Sequence, residues 1–185
     1  MSFEQLQLAW SRFNLRYFRN ALPSIRIEWS ARLTASAGMF VSCVGPRAAV
    51  AAPPTGKGRM IRLSLPLLGG QPEPEILSTL AHEMIHQWQF DHLKRRPNHG
   101  PDFRRIMRAM NQDGLGITVR HDLDEAVQAF MRYVWRCTQC GRDYHRQRRT
   151  IRPRVHRCGS CRGSLREIKP AHMLLDDRLQ LNLFR

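Results

Sequence analysis

His82, Glu83 and His86 fall within the stretch Ala81-His82-Glu83-Met84-Ile85-His86. On a helix, residues four apart share a face, so the two imidazoles can point at a single metal ion with Glu83 one step around beside it. This is the H-E-x-x-H arrangement, in which two histidines hold zinc and the glutamate takes a proton from metal-bound water. The metal lowers that water's pKa to about 7, which makes hydroxide available at neutral pH. Hydrolysis is the implied chemistry. A catalytic zinc takes three protein ligands and keeps one position open. His99, in Asn98-His99-Gly100-Pro101-Asp102-Phe103, stands just before a further helix start and can be the third ligand. Cys43 is the rival, but it lies in an apolar stretch where a lone cysteine acts as a small hydrophobe, so His99 is preferred. The structural alternatives are two core or solvated histidines that happen to be four apart, and a His99 that only caps a helix.

A second constellation lies further along. Cys137-x-x-Cys140 and Cys158-x-x-Cys161 are separated by 17 residues, the spacing of a closed four-thiolate zinc site that keeps a small β module folded and leaves no open position. Two zinc ions per chain are therefore expected, one catalytic and one structural. Residues 137 to 166 also hold nine arginines against one aspartate. Charge runs are usually solvated faces, but this density on a rigid ribbon, interleaved with Tyr144, points to phosphate binding. The residues expected to touch DNA are Arg142, Arg146, Arg148, Arg149, Arg152, Arg154 and Arg157.

Several elements must position these residues. Pro72 and Pro74 with Glu73 and Glu75 mark the start of the metal helix, since proline suits the first turn and acids favour the positive end of the helix dipole. Leu77, Leu80, Ala81, Met84 and Trp88 then form an apolar stripe. Upstream, Ser2 and Gln5 read as a capping box opening a helix with Phe3, Leu6, Trp10, Phe13 and Tyr17 on one face. Ile25, Ile27 and Trp29 alternate with Arg26 and Glu28 as in a half-buried strand, and Gly38 to Val44 and Met60 to Leu65 are further strands. Together they predict a small antiparallel sheet, in which Ile61 to Ser64 would be an edge able to pair with an extended substrate peptide. Pro101 opens another helix with the stripe Phe103, Ile106, Met107 and Met110. The fold class is α+β, a zincin-like domain with an HExxH helix followed by a zinc ribbon. Expected boundaries are 1–125 for the metalloprotease-type domain, 126–170 for the basic ribbon and 171–185 for a tail.

The chain of 185 residues can bury one good core and a small appendage. Thirty basic residues, only three of them lysine, stand against 15 acidic ones for a net +15. That imbalance points to an anionic partner, and arginine over lysine favours bidentate phosphate contacts. A membrane is not expected as partner, since no basic amphipathic helix shows a broad apolar face and no apolar run approaches about 18 residues. No signal pattern opens the chain, and paired cysteines of metal type fit a soluble intracellular protein.

Taken together, these motifs make the sequence resemble the SprT-like metalloprotease family. Gly38, Ile61-Arg62-Leu63-Ser64, the His82-to-His86 block, the His99-to-Phe103 segment and the arginine-bearing cysteine ribbon carry the resemblance, which covers most of the chain. It implies a DNA-dependent protease that degrades proteins bound or crosslinked to DNA, with zinc on His82, His86 and His99 and with Glu83 as base. The four-cysteine ribbon is closer to bacterial and germ-cell members than to the branch whose smaller zinc subdomain uses another ligand pattern. Single-stranded or junction-containing DNA is the suspected form, in the bacterial cytoplasm at the nucleoid or in a eukaryotic nucleus. The alternative function is a DNA-binding zinc-ribbon protein whose HExxH site is structural or hydrolyses a non-protein substrate. At the carboxyl end, Gln180-Leu181-Asn182-Leu183-Phe184 resembles the Gln-Leu-Ser/Asp-Leu-Phe peptide of proteins that bind the bacterial sliding clamp, Asn182 being the departure. Such a peptide would bury Leu183 and Phe184 in an apolar pocket while Gln180 makes polar contacts. The structural alternative is a final element that docks its leucines on the domain.

Overall fold

The computed structural model describes residues 1–43, 45–46, 58–119, 127 and 130–168. The chain forms two compact units, Met1–Leu123 and Asp124–Arg185. The predicted clamp peptide, with Gln180, Leu181, Leu183 and Phe184, lies outside the described residues. Among those residues no helix is long and apolar enough to cross a membrane.

The first unit opens with α1 (Phe3–Phe18), capped as the sequence predicts. The Gln5 N–H donates to Ser2 Oγ at 3.3 Å, and the Ser2 N–H donates to Gln5 Oε1 at 2.6 Å. Its buried face is Leu6, Trp10, Asn14 and Phe18, whereas Phe3 is half exposed and Phe13 and Tyr17 are only partly buried against the core. The stripe is thus rotated from the aromatic one because Asn14 belongs to it. Its side chain accepts the Leu22 N–H at 3.0 Å and donates to the Leu22 carbonyl at 2.9 Å, closing the turn after the helix. A buried amide satisfied in this way costs little.

Strands β1 (Arg26–Ser30), β2 (Gly38–Ser42) and β3 (Arg59–Ser64) form a sheet in the order β1-β3-β2. The expected all-antiparallel sheet is corrected here: β1 pairs with β3 in parallel, Ile27 opposite Ile61, and β2 pairs with β3 antiparallel, Phe40 opposite Ile61. The outer strands β1 and β2 run in opposite directions, so a strand inserted between them must be parallel to one. Ile61 to Ser64 is consequently central, with both backbone edges used, and cannot add a substrate strand. Parallel pairing of β1 with β3 joins segments far apart in sequence, which local alternation does not encode.

The sheet hands the chain to α2 (Leu65–Leu68), a single turn whose Leu67 N–H donates to Ser64 Oγ at 3.1 Å. The metal helix α3 (Glu73–Asp91) follows, with Pro74 in its first turn and Glu73 and Glu75 at its positive end. It packs against β2, β3, α1 and α4 (Pro101–Gln112). Leu80, Ala81, Met84 and Ile85 are wholly buried in the common core with Ile27, Ile61 and Phe103. The far end of α3 is tied to the start of β3 by Asp91 and Arg59, whose charged groups approach to 2.6 Å in a mostly buried pair.

In the second unit β4 (Tyr133–Cys137) lies between β5 (Asp143–Arg146) and β6 (Leu165–Ile168), antiparallel to both. Its buried cluster is small: Trp135, Cys137, Cys158 and Leu165.

Candidate active site

His82 and His86 project from α3, one turn apart, and the segment leading into α4 brings His99 to them. The three Nε2 atoms converge, with His82 to His86 at 3.1 Å and His82 to His99 at 3.0 Å. Phe103, fully buried on α4, sets its ring 4.7 Å from His82, 5.0 Å from His86 and 4.7 Å from His99, centroid to centroid. It is a common apolar floor for the three imidazoles. The sequence placed Phe103 on the core stripe but held no sign of this role.

Each α3 histidine has an acceptor behind it. His82 Nδ1 lies 2.9 Å from the Thr118 carbonyl, and His86 Nδ1 lies 3.2 Å from Gln89 Oε1. Both contacts call for a proton on Nδ1, which leaves the Nε2 lone pairs facing the centre. Burial drives the His86 pKa down to about 4, and burial with the nearby Arg104 charge lowers that of His99. Imidazoles whose Nε2 atoms converge in this way are arranged as metal ligands. Their separations suit zinc, since zinc–nitrogen bonds of about 2.0–2.1 Å put tetrahedral ligands about 3.3 Å apart.

Glu83 is almost completely buried. Desolvation pushes its carboxyl up to about 8, and the hydrogen bond from the Phe40 N–H to Oε2, at 2.6 Å, pulls the other way. A divalent cation nearby would favour the ionised form and reverse that shift. Strand β2 reaches Glu83 this closely because residue 38 is glycine. A Cβ there would stand 2.8 Å from Glu83 Cγ and 2.8 Å from Thr79 Cγ2. Cys43, the rival ligand, is exposed just beyond β2 and takes no part in the histidine cluster. The apolar-strand reading of that cysteine is therefore corrected.

Sequence reasoning missed Gln89, the Phe40 N–H and the Thr118 carbonyl. Main-chain groups leave no mark in a sequence. Gln89 did leave one, as a polar residue three positions after His86 on a largely apolar helix, where a buried amide needs partners.

The second unit gathers Cys137, Cys140, Cys158 and Cys161 with their sulfurs within 4.8 Å of one another. Cys137 and Cys161 approach to 3.4 Å and Cys140 and Cys158 to 3.6 Å, too far for disulfides and near the edge of a tetrahedral thiolate site. Backbone amides lower the Cys137 pKa, that of Cys140 foremost. The Tyr144 hydroxyl, 3.1 Å from Cys158 Sγ, and neighbouring amides draw Cys158 down to about 5. The same Tyr144 oxygen accepts the Gly159 N–H at 2.9 Å. Tyr144 thus braces the sulfur cluster, which corrects its reading as an aromatic interleaved for phosphate binding.

Arg142, Arg146, Arg148, Arg149, Arg152, Arg154 and Arg157 are all exposed. Arg149 is bridged to Glu167 at 2.9 Å, and Arg157 donates to the Pro153 carbonyl at 2.6 Å. Arg142, Arg148, Arg152 and Arg154 have no carboxylate partner among the described residues.

The description of the SprT-like family matches residues 6–121, and that of the SprT-like zinc ribbon domain matches residues 131–169. The chain belongs to the SprT-like family. Among its SprT-like relatives, the mouse DNA-dependent metalloprotease SPRTN is 37% identical over 147 residues, covering 77% of this chain and 27% of the mouse protein. The Caenorhabditis elegans DNA-dependent metalloprotease dvc-1 is 34% identical over 137 residues, 71% of this chain and 35% of the nematode protein. The Oceanobacillus iheyensis Protein SprT-like is 31% identical over 111 residues, 60% of this chain and 69% of the bacterial one. The chain therefore spans about a third or less of the two animal proteins. The first family match contains the three histidines and Glu83, and the second contains the four cysteines and the seven arginines.

Proposed function

We propose that this SprT-like chain is a DNA-dependent zinc endopeptidase that degrades proteins bound or crosslinked to DNA, and so serves DNA–protein crosslink repair. The observation that carries the reading is the convergence of three imidazoles beside a buried glutamate, on a chain similar to proteins named DNA-dependent metalloproteases. His82, His86 and His99 would hold one zinc ion, and Cys137, Cys140, Cys158 and Cys161 a second. The first ion, when bound, supplies Lewis acidity at the scissile carbonyl and activates a water.

The chain's own residues supply the rest. Glu83 accepts the proton of the attacking water and passes it to the leaving amine. The Phe40 N–H fixes one carboxylate oxygen, so the base is oriented before substrate arrives. Phe103 packs its ring against all three imidazoles and so limits their rotation. The ribbon arginines would hold the phosphate backbone of single-stranded or junction-containing DNA. A protein attached to the same DNA is then presented at a raised local concentration. The site of action would be the nucleoid or the nucleus. Residues 180 to 185 are proposed to recruit a bacterial chain to the sliding clamp; a peptide of residues 175 to 185 should bind that clamp and lose binding with Leu183→Ala and Phe184→Ala.

The test is incubation of the zinc-loaded full chain with a DNA-binding protein, with no DNA, single-stranded DNA or duplex. Cleavage is expected only with DNA, and Glu83→Gln should lower it about 10²- to 10⁴-fold while zinc content stays the same. Equal cleavage by Glu83→Gln, or none by the wild type under any condition, overturns the reading in favour of a DNA-binding ribbon protein with a structural histidine site.

A further inference from the structure

Gln89 is wholly buried, one turn after His86 on α3. Its amide oxygen accepts the Asn98 N–H at 3.0 Å, and its amide nitrogen donates to the Asn98 carbonyl at 2.8 Å. One side chain thus pairs with both main-chain groups of the residue immediately before His99. The pairing also fixes which way the amide points, since the nitrogen must face the carbonyl and the oxygen the N–H. The oxygen so fixed is the atom 3.2 Å from His86 Nδ1, and it can only accept. His86 must therefore carry a proton on Nδ1, which in the neutral ring leaves the Nε2 lone pair on the side that faces His82. Burying a primary amide without partners would cost several kcal/mol, and an apolar residue of the same size would fill the space. What glutamine adds is three hydrogen bonds, all to the segments that bear His86 and His99.

We infer that Gln89 is a positioning residue for the metal centre. It sets the tautomer of His86 and the placement of His99 with a single buried amide, and so couples a ligand on the helix to a ligand on the loop. The inference rests on reading the three histidines as a metal site. His82 is held differently, by a main-chain carbonyl that no substitution can remove.

The experiment uses the full chain and two variants, Gln89→Met, which keeps length and bulk without hydrogen bonds, and Gln89→Glu, which restores an acceptor for His86. Zinc affinity is read by chelator competition, with the cysteine-bound ion as internal reference. The expected result is a loss of about 10- to 100-fold at the histidine site for Gln89→Met, and recovery of at least part of it in Gln89→Glu. A second measurement needs no variant: nitrogen NMR of the metal-free wild type should show His86 protonated on Nδ1, with a slowly exchanging Asn98 amide. A merely structural role would lower the melting temperature of Gln89→Met and leave its zinc affinity and the His86 tautomer unmoved, which overturns the inference. His86 protonated on Nε2 in the wild type overturns it as well, whether or not the variants fold. A wild type that binds no zinc at its histidines defeats the metal reading itself, a different outcome from a Gln89→Met chain that binds as tightly as wild type.

Discussion

Three imidazoles in the first unit and four thiols in the second are each gathered within 4.8 Å, yet the hydrogen bonds around them point in opposite senses. Behind the imidazoles stand acceptors, the Thr118 carbonyl and the Gln89 oxygen, which take the hydrogen bond from Nδ1 and turn Nε2 inward, while burial holds His86 neutral. Around the sulfurs stand donors, the Gln139 N–H on Cys137 and the Tyr144 hydroxyl on Cys158, which stabilise negative thiolates. Three neutral ligands leave room for a reactant and have a buried carboxylate beside them; four anionic ones close the coordination sphere. The units also differ in what else holds them. The first has a large apolar core built from α1, the sheet, α3 and α4, whereas two of the four residues in the ribbon's buried cluster are themselves zinc-type ligands.

The largest expected effect follows from that contrast. Structural zinc contributes roughly 10–16 kcal/mol to folding in zinc-finger peptides, and the ribbon has little else. Cys158→Ser, or chelation of the wild type, should therefore unfold residues 131–168 and leave α3 protected. Hydrogen exchange resolved along the chain checks this. A ribbon that stays protected without metal would break the comparison.

Glycine supplies the next contrast. Gly38→Ala places a Cβ against Glu83 and Thr79, both buried, and such overpacking typically costs about 1–3 kcal/mol. It should lower the melting temperature of the first unit and slow peptide hydrolysis several-fold with zinc retained. In the ribbon, a Cβ at Gly159 would meet nothing nearer than the Tyr144 hydroxyl oxygen at 3.7 Å. Gly159→Ala should leave both melting and DNA binding unchanged. Paired melting curves with a peptide assay compare the two substitutions directly.

A pH series sharpens the difference in protonation. In the metal-free chain Glu83 titrates near 8 when folded against 4.5 as its ordinary value. Its contribution is present below 4.5 and is lost as pH rises toward 8, since the unfolded state binds fewer protons in that window. His86, lowered from 6.5 to about 4, works the other way, destabilising the fold below 6.5 and falling silent above it. The two slopes oppose each other between about 4.5 and 6.5. From 6.5 to 8 the Glu83 slope is no longer opposed by that of His86, so exchange at α3 should quicken with pH beyond the intrinsic rate in metal-free wild type, and less so in Glu83→Gln. An unchanged pH profile in the variant would show that Glu83 is not the group responsible.

Much of this was open to reading from spacing alone. His82 and His86 one turn apart, prolines and acids opening α3, and two CxxC pairs are local patterns, and local patterns survive into the fold. His99 was reached by counting ligands, because a catalytic zinc needs a third. What stayed hidden depends on contacts between distant segments. The Phe40 N–H meets a carboxylate 43 positions away, and β1 pairs with β3 across an intervening strand. Asn14 and Gln89 are polar residues on buried faces, and their partners are main-chain atoms that a helical wheel does not display. Tyr144 was misread because an aromatic among arginines fits a nucleic-acid surface, while its hydroxyl is engaged by Cys158 and Gly159.

The smallest expected effect separates two adjacent arginines of the ribbon. Arg148 is exposed with no carboxylate partner among the described residues, whereas Arg149 holds Glu167 through Nε at 3.1 Å and Nη2 at 2.9 Å. An exposed pair of this kind contributes at most about 1 kcal/mol, so DNA can compete for Arg149, but only by displacing a carboxylate already in place. Each phosphate contact contributes about 0.9 to the slope of log affinity against log salt on duplex DNA and about 0.7 on single strands. Arg148→Gln should reduce that slope by about one contact, and Arg149→Gln by clearly less. Glu167→Gln frees Arg149 and removes a negative charge, so it should raise affinity and steepen the slope. Salt titrations of the three variants on one oligonucleotide decide the point. Equal losses for both arginines, with no gain in Glu167→Gln, would mean that the bridge to Glu167 does not restrain Arg149, and that the basic face acts through its total charge and not through particular contacts.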